Sequence, residues 1–373
     1  KCSDMVLLDF AKAFDKVPHK LLLHKLSRYG LNSYILNWIH SFLTARKQRV
    51  ILGNVHSNWT HVSSGVPQGS VIGPLLFIIY INDLPDNLTS TVLMFADDTK
   101  LIATIDPSNH IPDSLALQND LNSVTDWTKT WKMELNMSKC KIIHFGKQNA
   151  HHEYHLQDHN TMLHTTITKS NAERDLGIII SSDLKSSTQS CKAAAKANSI
   201  LGIMKRTFTS RDPSLWKKIY TTYIRPHLEF AISSWNPSLT KDIKIIEQVQ
   251  RRSTKVPNSL RNLCYADRCK KLKLTSLTDR RTRGDLIQYY KIHNNIDIVN
   301  WFSPPKIAPP RAGNRAKLRR ELVKNCNERH NFFTNRIVPH WNNLPEGVAA
   351  SVSVNSFKNR FDKLQHTFPH LPP

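Results

Sequence analysis

The chain has 373 residues, 40% of them hydrophobic, enough for two or three compact units and too many for wholesale disorder. Its formal net charge is +23; so large an excess calls for a polyanion, and nucleic acid is the usual one, because Lys and Arg contacts to phosphate release counterions. The longest apolar run, residues 75–81, falls far short of the roughly 20 residues a membrane span needs, no leader pattern opens the sequence, and six scattered cysteines without a disulfide framework indicate an intracellular setting, nucleus or cytoplasm.

In chain order, residues 4–10 (DMVLLDF) form an apolar run with Asp9 near its end, the pattern of a buried strand. Between residues 19 and 43 apolar side chains recur at helical spacing, and Gly30 divides the stretch into two helices. Residues 48–52 and 58–62 read as two short strands around Gly53. A loop follows at 65–73, with three glycines and Pro67, and then a buried helix at 75–81. Residues 92–104 hold two β-type runs around an acidic turn, which reads as a hairpin. A helix at 115–131 has Leu117, Leu121 and Val124 on one face. After a polar, His-rich break at 148–164 the pattern becomes helical beyond Ser181. Asp212-Pro213 is a helix start, with a capping acid before a proline. Residues 251–283 contain eleven Lys/Arg against two acids, and the Pro-rich stretch 303–310 reads as a linker to a small C-terminal unit. Opening without Met, directly on a strand-like run, the sequence is expected to be a fragment lacking an N-terminal part.

Three carboxylates carry the chemistry. Asp9 ends a strand, and Asp97 and Asp98 sit at a hairpin turn between apolar runs. Turns favour Asp, so a pair alone is ordinary. Adjacent carboxylates in an apolar setting repel unless a cation lies between them, and a hard divalent ion takes oxygen ligands of this kind. Two such ions could activate an attacking oxygen and stabilise a leaving one, the arrangement of metal-assisted phosphoryl transfer.

Three segments, LDFAKAFDKVPH (8–19), SSGVPQGSVIGPLLF (63–77) and FADDTKL (95–101), resemble in order and spacing the A, B and C motifs of reverse transcriptases. WKMELNMSKCKIIHFG (131–146) is similar to motif D, and ERDLGIII (173–180) to the primer-grip region. NFFTNRIVPHWNNLP (331–345) resembles the ends of jockey-like polyproteins of non-LTR (LINE-type) retrotransposons. The resemblance implies an α/β (α+β) fold. It comprises a polymerase palm with a small antiparallel sheet, flanking helices and partial fingers (1–180), an all-helical thumb with the basic region (181–300), and a small C-terminal helical unit (301–373). It implies an RNA-directed DNA polymerase using two Mg²⁺ ions, or Mn²⁺, with an RNA template, a DNA primer or target DNA, and deoxynucleoside triphosphates. No membrane partner is expected.

The resemblance also assigns roles. Asp9, Asp97 and Asp98 would hold the metals, and Lys139 would sit near the leaving triphosphate. Phe10, Phe14, Pro67, Gln68 and Gly69 would line the nucleotide site, Phe14 as a steric gate against a ribose 2′-hydroxyl. Leu176 and Gly177 would hold the primer end. Plainer readings stand beside these: Phe14 as a core aromatic, Gln68 as a turn residue, Lys139 as a solvated lysine with Lys141 in its role, Leu176 as core. Two competing functions are an inactive fragment that binds nucleic acid without polymerising, and an RNA-dependent RNA polymerase, whose paired motif-A acids Asp9 and Asp15 imitate. Cys264, Cys269, Cys326 and His330 form a loosely spaced pattern poorly suited to zinc, and the histidines at 151, 152, 155 and 159 read as a polar surface loop rather than a metal site.

Overall fold

The computed structural model describes residues 2–157, 164–300, 304–308 and 317–367. The chain divides into two compact units, Lys1–Glu173 and Arg174–Pro373.

The first unit is built on a five-stranded sheet. Its strands are β1 (Cys2–Leu8), β2 (Thr91–Phe95), β3 (Asp98–Ile105), β4 (Lys141–Phe145) and β5 (Thr168–Lys169), in the order β5-β4-β1-β3-β2. Central β1 runs antiparallel to both β3 and β4, and only β5 lies parallel to its neighbour. Strand residues alternate between faces. On one face Val6 and Leu8 join Leu101 and Ile142 in a core with the helices α1 (His19–Arg28), α2 (Ser33–Leu43), α3 (Gly73–Ile81) and α4 (His110–Thr130). Helix α4 supplies Leu117, Leu121 and Val124, and α3 supplies Leu76, Phe77 and Tyr80. Helix α4 starts a turn or more before the apolar face that announces it, since its first turn carries the polar Asp113 and not a core residue.

Two of the charges buried in this unit, Asp4 and Lys25, are tied to several partners each. The Asp4 carboxylate accepts hydrogen bonds from His144 Nδ1, Asn149 Nδ2 and Tyr154 Oη, each at 2.7 Å. The Lys25 ammonium donates to Asp83 Oδ1 at 2.7 Å and to the Tyr80 carbonyl, and lies 3.5 Å from the centre of the Trp131 ring. The strands expected at 48–52 and 58–62 exist as one long hairpin with two short ladders, 47–48 with 60–61 and 51–52 with 55–56.

The second unit is helical. Helices α5 (Ser187–Thr207), α6 (Pro213–Ile219) and α7 (Thr240–Ser253) close one core around Ala197, Leu201, Trp216, Ile246 and Val249. Asp212 caps α6 by accepting the Leu215 amide at 2.8 Å. Helix α6 then widens into a π-turn at Tyr220–Ile224, ahead of Pro226, where the chain has a residue with no amide to donate. Gln250 is fully buried and satisfied: its oxygen accepts from the Tyr220 hydroxyl, and its amide donates to the Tyr265 hydroxyl and the Thr275 carbonyl. A second core joins α8 (Leu277–His293) to α9 (Phe333–Asn342) and α10 (Val354–Thr367), through Tyr289, Tyr290, Ile337, Trp341 and Phe357. The C-terminal helices thus share their core with a helix that precedes residue 300.

Burial alone would raise the Asp4 pKa, but the hydrogen bonds from His144, Tyr154 and Asn149 outweigh it and hold the carboxyl below its ordinary value. A carboxyl with a depressed folded pKa contributes stability above its unfolded pKa, and that stability is lost as pH falls through the folded value. Asp4→Asn should therefore flatten the acid limb of the stability profile below the ordinary carboxylate range. At neutral pH it should cost about 1–3 kcal/mol, the usual result of leaving buried hydrogen-bond donors without their carboxylate acceptor. Urea titrations across pH measure both.

Candidate active site

The carboxylates are placed by strand register. The β1–β3 ladder ends with Leu8 opposite Thr99, which puts Asp9 and Asp98 next at the same end. The β2–β3 ladder ends with Phe95 opposite Asp98, so Ala96 and Asp97 form a two-residue turn at that end too. Ala96 has φ +53°, a left-handed conformation that a residue with a Cβ rarely adopts and that the surrounding ladder must hold.

The backbone beyond β1 is fastened by the segment before β4. Asn136 N donates to Asp9 O at 2.7 Å and Ala11 N to Glu134 O at 2.8 Å, on either side of a bridge between Phe10 and Leu135. A turn in which Lys139 N and Cys140 N both donate to Asn136 O then presents Lys139, whose ammonium lies 3.7 Å from Asp9 Oδ2. Lys141 instead donates to the carbonyl of Ser138. Phe10 is 4% exposed and meets Trp127 edge-on, so its side chain belongs to the core and only its backbone could face a nucleotide.

The glycine-rich loop is stitched to the segment after Asp9. Val66 N donates to Phe14 O, Gly65 N to Val17 O and Ser64 Oγ to Asp15 O, all at 2.8 Å. Gln68 Nε2 donates to Asp15 Oδ1 at 3.1 Å. Phe14 is half-buried and stacks on Phe77 with ring centres 4.3 Å apart, so it is packed and still borders this loop. Pro67 is half-buried and its carbonyl accepts from Ser70 Oγ; Gly69 is exposed. Gly65 was not singled out in the sequence, yet a Cβ there would stand 2.6 Å from the Asp15 carbonyl oxygen, and its φ is +86°. Asp15, read in the sequence only as an imitation of a second motif-A acid, positions Gln68.

Asp9, Asp97, Asp98 and Lys139 thus gather at one end of the sheet, and Phe14, Gln68 and Asp15 around one loop. Carboxylate oxygens are the donors a hard divalent cation takes, and the Lys139 ammonium beside Asp9 shows that this strand end accommodates positive charge. Among the described residues no three His, Cys, Asp or Glu side chains converge as a metal-holding group. The fit therefore lies in donor chemistry and placement; the carboxylates share an edge without closing on a common point.

In the second unit, Gly177 lines a cavity of about 760 Å³ together with Arg174, Lys192, Lys196, His227 and Phe230, and among the described residues no acid lines it. Leu176 and Gly177 form the turn between Ala172–Asp175 and Ile178–Ser181, both with positive φ. Leu176 is 47% exposed, and a Cβ on Gly177 would meet the Phe230 ring at 2.9 Å. In the basic run, Arg268 and Arg281 are buried, and Arg280 and Arg283 pair with Glu229 and Asp362. Exposed cations remain at positions 251, 252, 255, 261, 270, 271 and 273.

The cysteines do not converge. Cys264 caps the helix Tyr265–Leu272 and donates its thiol to Asp267, Cys269 lies by Gln250, Cys326 by Glu328, and His330 contacts Arg320. Of the His-rich stretch, His152 pairs with His110 at 2.8 Å, His151 packs edge-on against His144, and His155 meets Thr166. His159 lies outside the described residues.

Residues 1–193 match the family model "Reverse transcriptase (RNA-dependent DNA polymerase)". The chain is 33% identical over 147 residues to the RNA-directed DNA polymerase from mobile element jockey of Drosophila funebris, covering 37% of this chain and 16% of that protein. It is 24% identical over 260 residues to the probable RNA-directed DNA polymerase from transposon X-element of Drosophila melanogaster, covering 66% of this chain and 27% of that protein. The chain therefore spans about a sixth to a quarter of these relatives' length. A solved telomerase from Candida albicans, in complex with a TWJ fragment of telomeric RNA, aligns over 70% of this chain and 48% of its own at 12% identity, with a TM-score of 0.39.

Gly65→Ala tests the stitched loop. The added methyl meets Asp15 backbone in a conformation that disfavours any Cβ, so the variant should lose stability by at least about 1 kcal/mol. Urea titration of parent and variant measures the loss, and an equal midpoint would show that the loop moves away freely.

Proposed function

The chain belongs to the reverse transcriptase family, and from that premise we propose that it extends a DNA primer on an RNA template by nucleotidyl transfer. The observation that carries this reading is the placement of Asp9, Asp97 and Asp98 at one strand end, with the Lys139 ammonium 3.7 Å from Asp9. Asp9, Asp97 and Asp98 would hold two Mg²⁺ ions, with Mn²⁺ as a substitute, and bound ions of this kind activate an attacking oxygen and stabilise a leaving one.

The remaining roles fall to the chain's own groups. Lys139 offsets the negative charge developing on a departing diphosphate. Phe14, fixed against Phe77, stands at the sugar of the incoming deoxynucleotide and excludes a 2′-hydroxyl. Gln68, oriented by Asp15, lies beside the templating base. The Leu176-Gly177 turn and the acid-free cavity at Arg174, Lys192 and Lys196 hold the primer strand through its phosphates. Exposed cations at 251–273 follow the backbone of the RNA–DNA duplex without reading sequence. Among the described residues no helix is long and apolar enough to cross a membrane.

Two substitutions test the reading, on this chain and on a version extended to the relatives' length. Asp97→Asn keeps the side-chain shape and removes one charge from the metal-facing set. Primer extension should vanish while affinity for an RNA–DNA duplex stays within about twofold, because that affinity rests on Lys and Arg and weakens with salt. Parental extension by Asp97→Asn would move the catalytic site elsewhere. Phe14→Ala should raise ribonucleotide relative to deoxynucleotide incorporation by about tenfold or more, roughly the 1.4 kcal/mol per decade of lost steric exclusion; an unchanged ratio would reduce Phe14 to core packing.

A further inference from the structure

The hairpin at 47–61 has no part in the site described above. Its two ladders, Lys47 with His61 and Gln48 with Thr60, then Ile51 with His56 and Leu52 with Val55, form two-stranded pieces that belong to no larger sheet. Every residue in these ladders is exposed. A two-stranded ribbon without a core beneath it contributes little stability of its own, so its exposed side chains are not explained by packing.

Those side chains have a definite chemistry. Trp59 is 58% exposed, and the Arg49 guanidinium lies over its indole at 4.7 Å. Lys47 and Arg49 are exposed, and among the described residues no carboxylate pairs with either. Residues 31–65 contain no Asp or Glu at all. The aliphatic tip is open as well, with Val50 72% and Leu52 81% exposed. The root is fixed: Val62 N donates to Arg46 O, Arg46 Nε to the Leu43 carbonyl, and Arg46 Nη2 to the Gly65 carbonyl at 2.6 Å. Gly65 begins the loop that carries Gln68.

We propose that this hairpin is a stacking platform for the single-stranded RNA template on its way to the Gln68 loop. The inference rests on the polymerase reading, which supplies a template at that loop. An indole offers its face to an unstacked base and not to one hidden in a duplex, and such stacking is tolerant of sequence. Lys47 and Arg49 meet the phosphates between the bases, and the absence of acids across 31–65 leaves nothing to repel them. Arg49 already sits in the geometry by which a guanidinium extends an aromatic stacking surface. A protein partner would account for the aliphatic tip, but not for an unpaired cationic, acid-free strand with an arginine-stacked tryptophan.

The test is fluorescence anisotropy of the whole chain with a labelled RNA–DNA hybrid, either blunt or carrying a single-stranded 5′ RNA extension of about ten nucleotides, within the range one such surface covers. The parent should bind the extended hybrid more tightly than the blunt one. Trp59→Ala and Arg49→Ala should each remove about tenfold of the affinity for the extended hybrid and leave the blunt hybrid unchanged. Trp59→Phe, which keeps an aromatic face, should restore most of it. Arg49→Ala should also reduce the salt slope on the extended hybrid by about 0.7, the value for one phosphate contact on a single strand. Equal affinities of parent and variants for the extended hybrid overturn the proposal, as does an equal loss on both hybrids, which would mark non-specific charge. Unchanged RNA affinity with altered self-association in sedimentation would assign the tip to protein contacts and also overturn it. If the parent binds neither hybrid, the polymerase reading fails first and the platform with it.

Discussion

The register of β1 against its two neighbours is the constraint on which the first unit depends. Seven successive pairs with β3 run from Cys2–Ile105 to Leu8–Thr99, and five with β4 from Ser3–Phe145 to Leu7–Lys141. Side chains alternate along a strand, so a slip of one residue would turn Val6 and Leu8 away from the helices and carry Asp9 out of line with Asp98. A purely aliphatic strand could accept such a slip at modest cost. Asp4 removes that freedom, because in any other register its charge would be buried away from His144, Asn149 and Tyr154. A buried charge without partners is far more costly than a misplaced methyl group. The same logic reaches the helices through Lys25: its ammonium finds Asp83, the Tyr80 carbonyl and the Trp131 ring at one place, and so sets α1 against α3 and α4. Burial pushes the Lys25 pKa down and Asp83 opposes that shift, so the pair locates the helices rather than adding much net stability.

These two devices explain what was and was not legible in the sequence. Asp9 at a strand end, the 92–104 hairpin and the apolar faces of α3 and α4 follow from local periodicity, which needs no knowledge of distant residues. Asp4 and Lys25 gave no such signal. Each is one charged residue in an amphipathic stretch, and the partners that make it buried lie more than 50 positions away. Phe10 shows the same limit from the other side. Being next to Asp9 suggests a nucleotide contact, but alternation past the end of β1 sends its ring to Trp127. The role of Asp15 in holding Gln68, and the need for Gly65, are not legible locally because the contacts join a short helix, Ala13–Lys16, to a loop about 50 residues away. Cys264, part of a pattern too loosely spaced for zinc, serves as a helix cap whose sulfur accepts the Asp267 amide.

The two turns that carry the proposed catalytic and primer-holding residues share one feature. Each is a two-residue connection between short antiparallel strands whose first residue adopts a left-handed backbone despite bearing a side chain, Ala96 at φ +53° and Leu176 at φ +44°. Asn or Gly at these positions would relieve the conformation, and hairpins commonly use them. Strain of this kind costs of order 1–3 kcal/mol and persists only where flanking structure over-determines it. At the Ala96 turn the restraint is the full length of the β2–β3 ladder, which leaves Asp97 nowhere to go but the tip. At the Leu176 turn it is Gly177, whose missing side chain lets the Phe230 ring approach to a distance no Cβ would tolerate. In both, backbone freedom is given up next to a residue proposed to act in the reaction. The restraint comes from the ladder in one case and from the close approach of the Phe230 ring in the other.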